Sequence, residues 1–326
     1  MNSKNFPIFE IRIPTYKRQL LLKRCLQSLV LQEYPHWYAV VIDDSPEQEG
    51  YKVAKSFSDN RIIYTPNLHN LGIVANLNQC FRMKKFHSSS TYASVLEDDN
   101  YYLSTFLKDS LEVFIRTGSK VVLSSSRIAL LKKDESEILQ NRFTLRSTYG
   151  EEERFITYQE RLCKALSGFP ATNLGLVWSF DDEVSLETDV EKYNPVVAEK
   201  LRGLVCKGDF YYNPQAASVL TVFEKKSTLE LHKKTSESNR RFRRSQLSFN
   251  RLVYTEIVRL NLLEEIDKLS NQKKITLKLA ESGSLKAILS LGSPADWIKL
   301  IKSIALWLLF PFQSNFSGFR SRHIAD

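Results

Sequence analysis

The sequence predicts an α/β fold: a mostly parallel, Rossmann-like sheet with helices on both faces, followed by a helical C-terminal extension. Three observations point there. Over the first 125 residues, apolar runs of strand length alternate with stretches of helical period. Several of the strand-like runs end in polar or acidic motifs, IPTYKR, VIDDS and LEDDN. Past residue 225 the pattern changes to basic and amphipathic helical segments. The length of 326 residues suits one large or two modest domains. The expected divisions are 1–120, 121–225 and 226–326.

Taken in order, FEIRIP (9–14) reads as a strand. RQLLLKRCLQSLVLQ (18–32) places Leu21, Leu22, Cys25, Leu26, Leu29 and Val30 on one helical face. WYAVVIDD (37–44) is a continuous apolar run, as in a strand buried on both faces. A weaker helix (47–58) and a short strand (61–67) follow. VANLNQCFRMKKF (74–86) has helical recurrence at Ala75, Leu77, Cys80 and Phe81. TYASVLEDDN (91–100) is the next strand, 103–117 the next helix, and KVVLSSSRIALL (120–131) returns to β. Alternation at this spacing predicts parallel strands, whose ligands bind beyond their carboxyl ends.

From 130 to 225 the periods are less regular. SGFPATNLGLVWS (167–179) reads as a loop feeding a short strand, then comes the acidic stretch 180–193. A helix over 196–208 and a strand-like run over 210–223 complete this part. Residues 246–269 predict one long amphipathic helix with Leu252, Ile257, Leu260, Leu263 and Ile266 on its apolar stripe.

The net charge is +9, and residues 225–251 carry nine Lys/Arg against Glu230 and Glu237, or +7. Such a stripe suits phosphates of nucleic acid or of anionic lipid, or is a solvated linker. DWIKLIKSIALWLLFPF (296–312) is too short an apolar run to span a bilayer, which takes roughly 20 residues. Its tryptophans and lysines suit a helix lying in a membrane interface, or a terminal helix docked on the protein's own core. The scattered cysteines (Cys25, Cys80, Cys163, Cys206) and an N-terminus without a long apolar segment predict reduced thiols in a cytosolic protein.

IPTYKR (13–18), VIDDS (41–45), NLGIVANLN (70–78) and LEDDN (96–100), in this order and spacing, resemble glycosyltransferase family 2. The resemblance covers the first 120 residues, loosens from 130 to 225 and does not extend past 230. It implies a GT-A fold and an inverting, metal-dependent transferase that moves a sugar from a nucleotide-diphospho-sugar, UDP-linked, to an acceptor. The implied cation is Mn²⁺ or Mg²⁺, and the three adjacent acids are tolerable together because a metal and a substrate complete the site.

Carried over residue by residue, the resemblance assigns the metal to Asp99 and the donor's sugar or ribose to Asp98. Glu97 stands at the first position of the acidic triplet. Asp44 is implied as acceptor for the uracil N–H, or is part of an Asx turn with Asp43. Pro14, Thr15 and Tyr16 match positions lining the base pocket. Lys17 stands where many relatives have Asn or Asp, and it or Arg18 could touch phosphate. Asn70, Gly72 and Asn76 match the segment bordering the nucleotide. Inversion needs a base on the acceptor side. Asp189 takes that role, although the family's acid–Asp pair reads Thr188-Asp189 here; Asp181 and Asp182 compete.

The basic and amphipathic C-terminal part suggests an acceptor at an anionic membrane surface, a glycan or lipid-linked intermediate of surface polysaccharide, with the protein on the cytoplasmic face. A sugar-phosphate nucleotidyltransferase would carry a Gly-rich loop where PTYKRQ stands. A nucleic-acid-binding protein, a non-catalytic membrane-binding protein or scaffold are the other readings. No HExxH, GxSxG or GxxxxGK[ST] motif occurs.

Overall fold

The computed structural model describes residues 6–181, 184–187, 193–224, 236–269 and 272–309. Its first elements follow the expected alternation: β1 (Phe9–Thr15), α1 (Gln19–Val30), β2 (Trp37–Asp43), α2 (Glu49–Ser56), β3 (Ile62–Pro66), α3 (Ile73–Gln79) and β4 (Tyr92–Val95). Then come β5 (Tyr101–Tyr102), α4 (Phe106–Thr117), β6 (Val121–Ser124), β7 (Arg127–Leu131), β8 (Glu137–Phe143), α5 (Arg146–Tyr149), β9 (Arg154–Ile156) and α6 (Tyr158–Ser167). The chain continues through β10 (Leu176–Ser179), α7 (Pro195–Val205), β11 (Phe210–Asn213) and β12 (Ser218–Phe223). The last described helices are α8 (Ser236–Arg259), α9 (Leu263–Asp267), α10 (Gln272–Glu281), α11 (Leu285–Leu289) and α12 (Pro294–Leu309).

Eight strands form one sheet in the order β3-β2-β1-β4-β10-β6-β11-β9. The first four are parallel, β10 runs antiparallel to both its neighbours, and β11 is parallel to β6. The sheet is buried on both faces, as the unbroken apolar run of β2 predicts. Ala39 and Val41 join one core with Leu22, Leu26 and Leu29 of α1. Val40 and Ile42 join another with Leu77 of α3, Phe81 and Trp178.

Two compact units divide the chain. The first comprises Met1–Thr157, Ala171–Glu187 and Cys206–Lys225 and holds all the strands. The second comprises Tyr158–Pro170, Thr188–Val205 and Lys226–Asp326. It therefore draws α6 and α7 from inside the stretch 121–225. Within it Phe249, Val253 and Ile257 of α8 are fully buried, and the buried Arg161 donates to Gly203 O at 3.0 Å. All four cysteines are free and buried.

The structure departs from the sequence expectation in four places. The helix over 74–86 stops at Gln79. Beyond it, Arg12 draws the chain into a loop: its guanidinium donates to the carbonyls of Cys80 (3.0 Å), Arg82 and Lys84 (2.9 Å). Glu10 takes the N–H groups of Phe86 (3.0 Å) and His87 (2.9 Å) and the Ser90 hydroxyl (2.9 Å). Glu10 and Arg12 pair with each other and are both fully buried. Charges so placed require every polar position to be met, and helical bonding of 80–86 would remove those partners.

The runs 120–131 and 210–223 each divide into two strands. β5, β12, β7 and β8 make a separate four-stranded sheet, with β12 parallel to β7. Pro214, which has no N–H, follows β11 directly. Finally, the helix expected over 246–269 begins earlier and breaks after Arg259. Asn261 adopts φ +56°, and Leu262 N returns to Ile257 O at 3.0 Å, closing the helix end in the left-handed turn that Asn tolerates.

Arg12→Met is expected to cost about 3–5 kcal/mol in urea unfolding, because Glu10 stays buried without its partner. Combined with Glu10→Gln, the loss should fall clearly below the sum of the two single losses. Additive losses would mean that the two side chains act independently.

Candidate active site

Parallel register carries three motifs to one edge of the large sheet. Thr15 lies opposite Asp43 across β1 and β2, and Arg12 opposite Val95 across β1 and β4. The chain thus leaves the carboxyl ends of all three strands on the same side, and Asp44 N donates to Thr15 O at 3.0 Å across the gap.

The acids after β2 have different partners. Asp43 is fully buried. It accepts from Ser45 N (2.9 Å), Gly50 N (2.9 Å) and Tyr64 OH (2.9 Å). A Cβ on Gly50 would stand 2.7 Å from the Asp43 carboxylate, so only glycine permits this approach. Asp44 is also buried and organises the loop after β3. Its Oδ1 accepts from Asn67 Nδ2 (2.8 Å) and Leu71 N (2.8 Å), its Oδ2 from Gly72 N (2.9 Å). A carboxylate has roughly four lone-pair positions, so these three donors leave one, on Oδ2.

Gly72 has φ +82°, a conformation that favours glycine. Asn70 Nδ2 donates to the Asp44 carbonyl at 3.1 Å. Asn76 is buried and turns inward, donating to Ile42 O (3.3 Å) and accepting from Asn67 (2.9 Å). Its side chain therefore braces the loop from beneath.

The triplet after β4 also separates. Glu97 accepts from Asn100 Nδ2 (3.1 Å) and Asn173 Nδ2 (3.1 Å). Asp98, 4% exposed, accepts from Thr15 Oγ1 at 2.7 Å and from Arg18 Nη1 at 3.2 Å. The same Arg18 Nη1 donates to Asp99 Oδ2 at 2.7 Å, so one guanidinium nitrogen bridges the two aspartates. Burial, with Asp99's charge beside it, pushes the Asp98 carboxyl up to about 6, against the lowering effect of Thr15 and Arg18. Tyr16, half exposed, flanks the edge next to Pro14 and Thr15. Lys17 has φ +54°, donates its N–H to Ser45 Oγ (2.9 Å) and pairs with Glu47 at the surface (2.9 Å).

Of the acids named for base chemistry, Asp181 pairs with Lys120, while Asp182 and Asp189 lie outside the described residues. Sequence reasoning missed Arg24, which donates to the Asp99 carbonyl (2.6 Å) and to Thr221 Oγ1 of β12 (2.8 Å). It also missed Asn67, Asn100 and Asn173, whose amides orient the acids. Arg24 stands on α1 away from the apolar face formed by Leu22, Cys25, Leu26 and Leu29, where an arginine carries no sequence signal.

Among the described residues no three acidic, histidine or cysteine side chains cluster as a ready-made cation cage. Asp98 and Asp99 instead offer a pair of hard oxygen donors. Such a pair fits Mg²⁺ or Mn²⁺, which commonly take one or two carboxylates and complete their shell with water and substrate phosphates.

Residues 10–170 match the family model Glycosyl transferase family 2. The putative colanic acid biosynthesis glycosyl transferase WcaA of Escherichia coli (strain K12) is 30% identical over 110 residues, which are 32% of this chain and 38% of that protein. The matched part thus spans well under half of that relative's length. Among solved structures, S. aureus TarS 1–349 aligns with TM-score 0.51 and 18% identity, over 91% of this chain and 79% of that chain. The same protein in complex with UDP-GlcNAc aligns with TM-score 0.53 and 16% identity, over 92% and 81%. At these identities the shared property is the fold.

The raised Asp98 carboxyl has a sign in pH. The folded chain holds this proton more tightly than the unfolded chain, whose carboxyl titrates near 3.8. Asp98 therefore favours the fold least once it ionises, above about pH 6. Asp98→Asn, measured by urea unfolding in the presence of chelator, should gain stability over the native protein as pH rises from about 4 to 6, by up to about 3 kcal/mol. A pH-independent difference would contradict this account of Asp98.

Proposed function

We propose that this chain, of which residues 10–170 match the family model Glycosyl transferase family 2 and which shares its fold with TarS, is a family 2 glycosyltransferase that moves a sugar from a UDP-linked donor to a glycan or lipid-linked acceptor, with inversion, in surface polysaccharide assembly. The observation that carries the proposal is the meeting of Thr15, Arg18, Asp98 and Asp99 at the carboxyl edge of the parallel strands. The complexes of TarS with UDP-GlcNAc and with UDP support the donor class. The name of WcaA, a putative colanic acid biosynthesis transferase, supports a polysaccharide product.

In this reading the donor half lies in residues 1–120 and the acceptor half in 121–225. Tyr16 stacks on the base, Pro14 and Thr15 line its pocket, and Asp44 offers its remaining Oδ2 position to the uracil N–H. Asn70 and Gly72 hold the loop that borders the nucleotide, and Asn76 supports it from below. Asp98 orients the sugar or ribose, with Glu97 held back by its two asparagines, and Asp99 holds the cation. A bound Mn²⁺ or Mg²⁺ supplies Lewis-acid neutralisation of the diphosphate leaving group. Asp189 is the proposed base, deprotonating the acceptor hydroxyl on the face opposite the diphosphate, with Asp181 and Asp182 as its competitors.

The membrane-surface acceptor is supported by α12. The helix buries Asp296, Leu300 and Ser303 and leaves Trp297, Ile298, Ile301 and Ile304 exposed. Ser303 Oγ donates to Glu281 (2.7 Å) and Ser293 Oγ to Asp296 (2.6 Å), so polar contacts hold the inward face while the apolar stripe points out. Lys299 and Lys302 are exposed on the same helix. Among the described residues no helix is long and apolar enough to cross a membrane. An amphipathic helix with lysines beside its apolar stripe suits peripheral binding to an anionic surface on the cytoplasmic side.

Calorimetry tests the donor site. UDP should bind with Mn²⁺ present and lose most of its affinity with chelator or in Asp99→Ala. Equal binding with and without cation would sink the metal assignment, and no binding in any condition would remove UDP. For the tail, Ile298→Glu/Ile301→Glu should abolish co-sedimentation with vesicles containing anionic lipid while leaving UDP binding intact. Unchanged sedimentation would remove α12 as the contact.

A further inference from the structure

The two acids assigned to the donor and its cation already have a positive charge between them. Arg18 Nη1 touches Asp99 Oδ2 at 2.7 Å and Asp98 Oδ1 at 3.2 Å. Asp98 is nearly buried, and an ionised carboxylate there needs a partner. Arg18 supplies one, yet it is loosely held. Its side chain is 44% exposed, and among the described residues its only side-chain bonds are those to the two aspartates.

Arg24, nearby on α1, is the opposite case. It is fastened to the Asp99 carbonyl and Thr221 Oγ1, faces Glu137 at 3.4 Å and lies over the Tyr101 ring. One arginine is thus built in, and the other can swing out.

We propose that Arg18 is a displaceable counter-ion of the Asp98–Asp99 pair, occupying the place of the divalent cation and yielding it when cation and diphosphate arrive together. The proposal rests on the reading of Asp99 as the cation ligand. A guanidinium and a divalent cation cannot share Asp99 Oδ2 without strong repulsion at such short range. Cation binding therefore includes the departure of Arg18. Once released, its planar fork has a natural partner in the diphosphate oxygens. Two consequences follow for a positioning residue of this kind. The protein discriminates against cation alone, and cation and nucleotide bind cooperatively.

The test is Mn²⁺ titration of the full chain, by calorimetry or by loss of the free-ion paramagnetic resonance signal, with and without UDP. Arg18→Gln should bind Mn²⁺ alone at least about tenfold more tightly than the native protein, a modest part of the repulsion between such charges. Saturating UDP should tighten Mn²⁺ binding by a larger factor in the native protein than in Arg18→Gln. Lys17→Gln, which removes an exposed charge one residue away, should change Mn²⁺ affinity by less than about twofold, as expected for a screened surface ion pair. Arg18→Lys, with a shorter reach and no fork, should fall between native and Gln, and it carries the test if Arg18→Gln does not fold.

Equal or weaker Mn²⁺ binding in the folded Arg18 variants, or an equal gain in Lys17→Gln, overturns the displacement and leaves the cation site standing. If neither native protein nor variant binds Mn²⁺, with or without UDP, the assignment of Asp99 falls and the displacement with it.

Discussion

The buried pair of Glu10 and Arg12 is the interaction on which the carboxyl edge of the parallel strands depends. β1 sits between two parallel neighbours and turns Phe9, Ile11 and Ile13 into one core. Its other face carries the two charges. Such a pair contributes little net stability against an apolar replacement, so its effect is better sought in specificity. Six groups from residues 80–90 are pinned to it. That loop leads straight into β4, whose entry is fixed by Thr91 N and Tyr92 N on Ile8 O. The placing of β4 sets where Asp98 and Asp99 emerge. Two charges in the first strand therefore determine the position of two charges some 85 residues later in the chain.

Five carboxylates crowd this edge, and three of them, Asp43, Asp44 and Glu97, have separate donors. Asp43 is enclosed by α2 and Tyr64, Asp44 by the loop 67–72, and Glu97 by two amides. Asp98 and Asp99 share Arg18. Like charges tolerate proximity when each has its own donors. Asp43 and Asp44 take main-chain N–H groups and hold the adjoining loops, with one Oδ2 position of Asp44 left open. Asp98 and Asp99 are met instead by the partly exposed side chain of Arg18, with Thr15 also on Asp98.

Much of the first unit was legible because β1 and β2 are buried on both faces and α1 on one, which writes the two periods plainly into the first strands and helices. Legibility failed where a long-range bond overrode a local preference. Nothing in CFRMKKF announces that Arg12, some 70 residues earlier, takes its carbonyls. Each of the apolar runs 120–131 and 210–223 carries one continuous β signal, while the division between two sheets depends on partners distant in sequence. Asn261 marked a helix end that an apolar stripe alone concealed. At the site, the acids stood out because charge followed an apolar run. Their partners Asn67 and Asn173 did not, since an amide in a loop has no period, and Arg18 stood out only as a possible phosphate contact.

The paired passage of β6–β7 and β11–β12 from one sheet to the other bears on the order in which the chain assembles. β6 and β7 lie in residues 121–131, but β11 and β12 lie in 210–223. Until those later strands leave the ribosome, β6 has only β10 beside it and β7 only β8. Two segments of the second unit have by then emerged, α6 and α7, while the long α8 that completes their core is still unmade. Closure over such sequence separations is slow, and during the wait the free edges of β6 and β7 are open to mispairing. Synthesis of some fourteen residues, 210–223, thus seals both sheets at once, and a chain halted before them holds Asp98 and Asp99 on an unfinished scaffold.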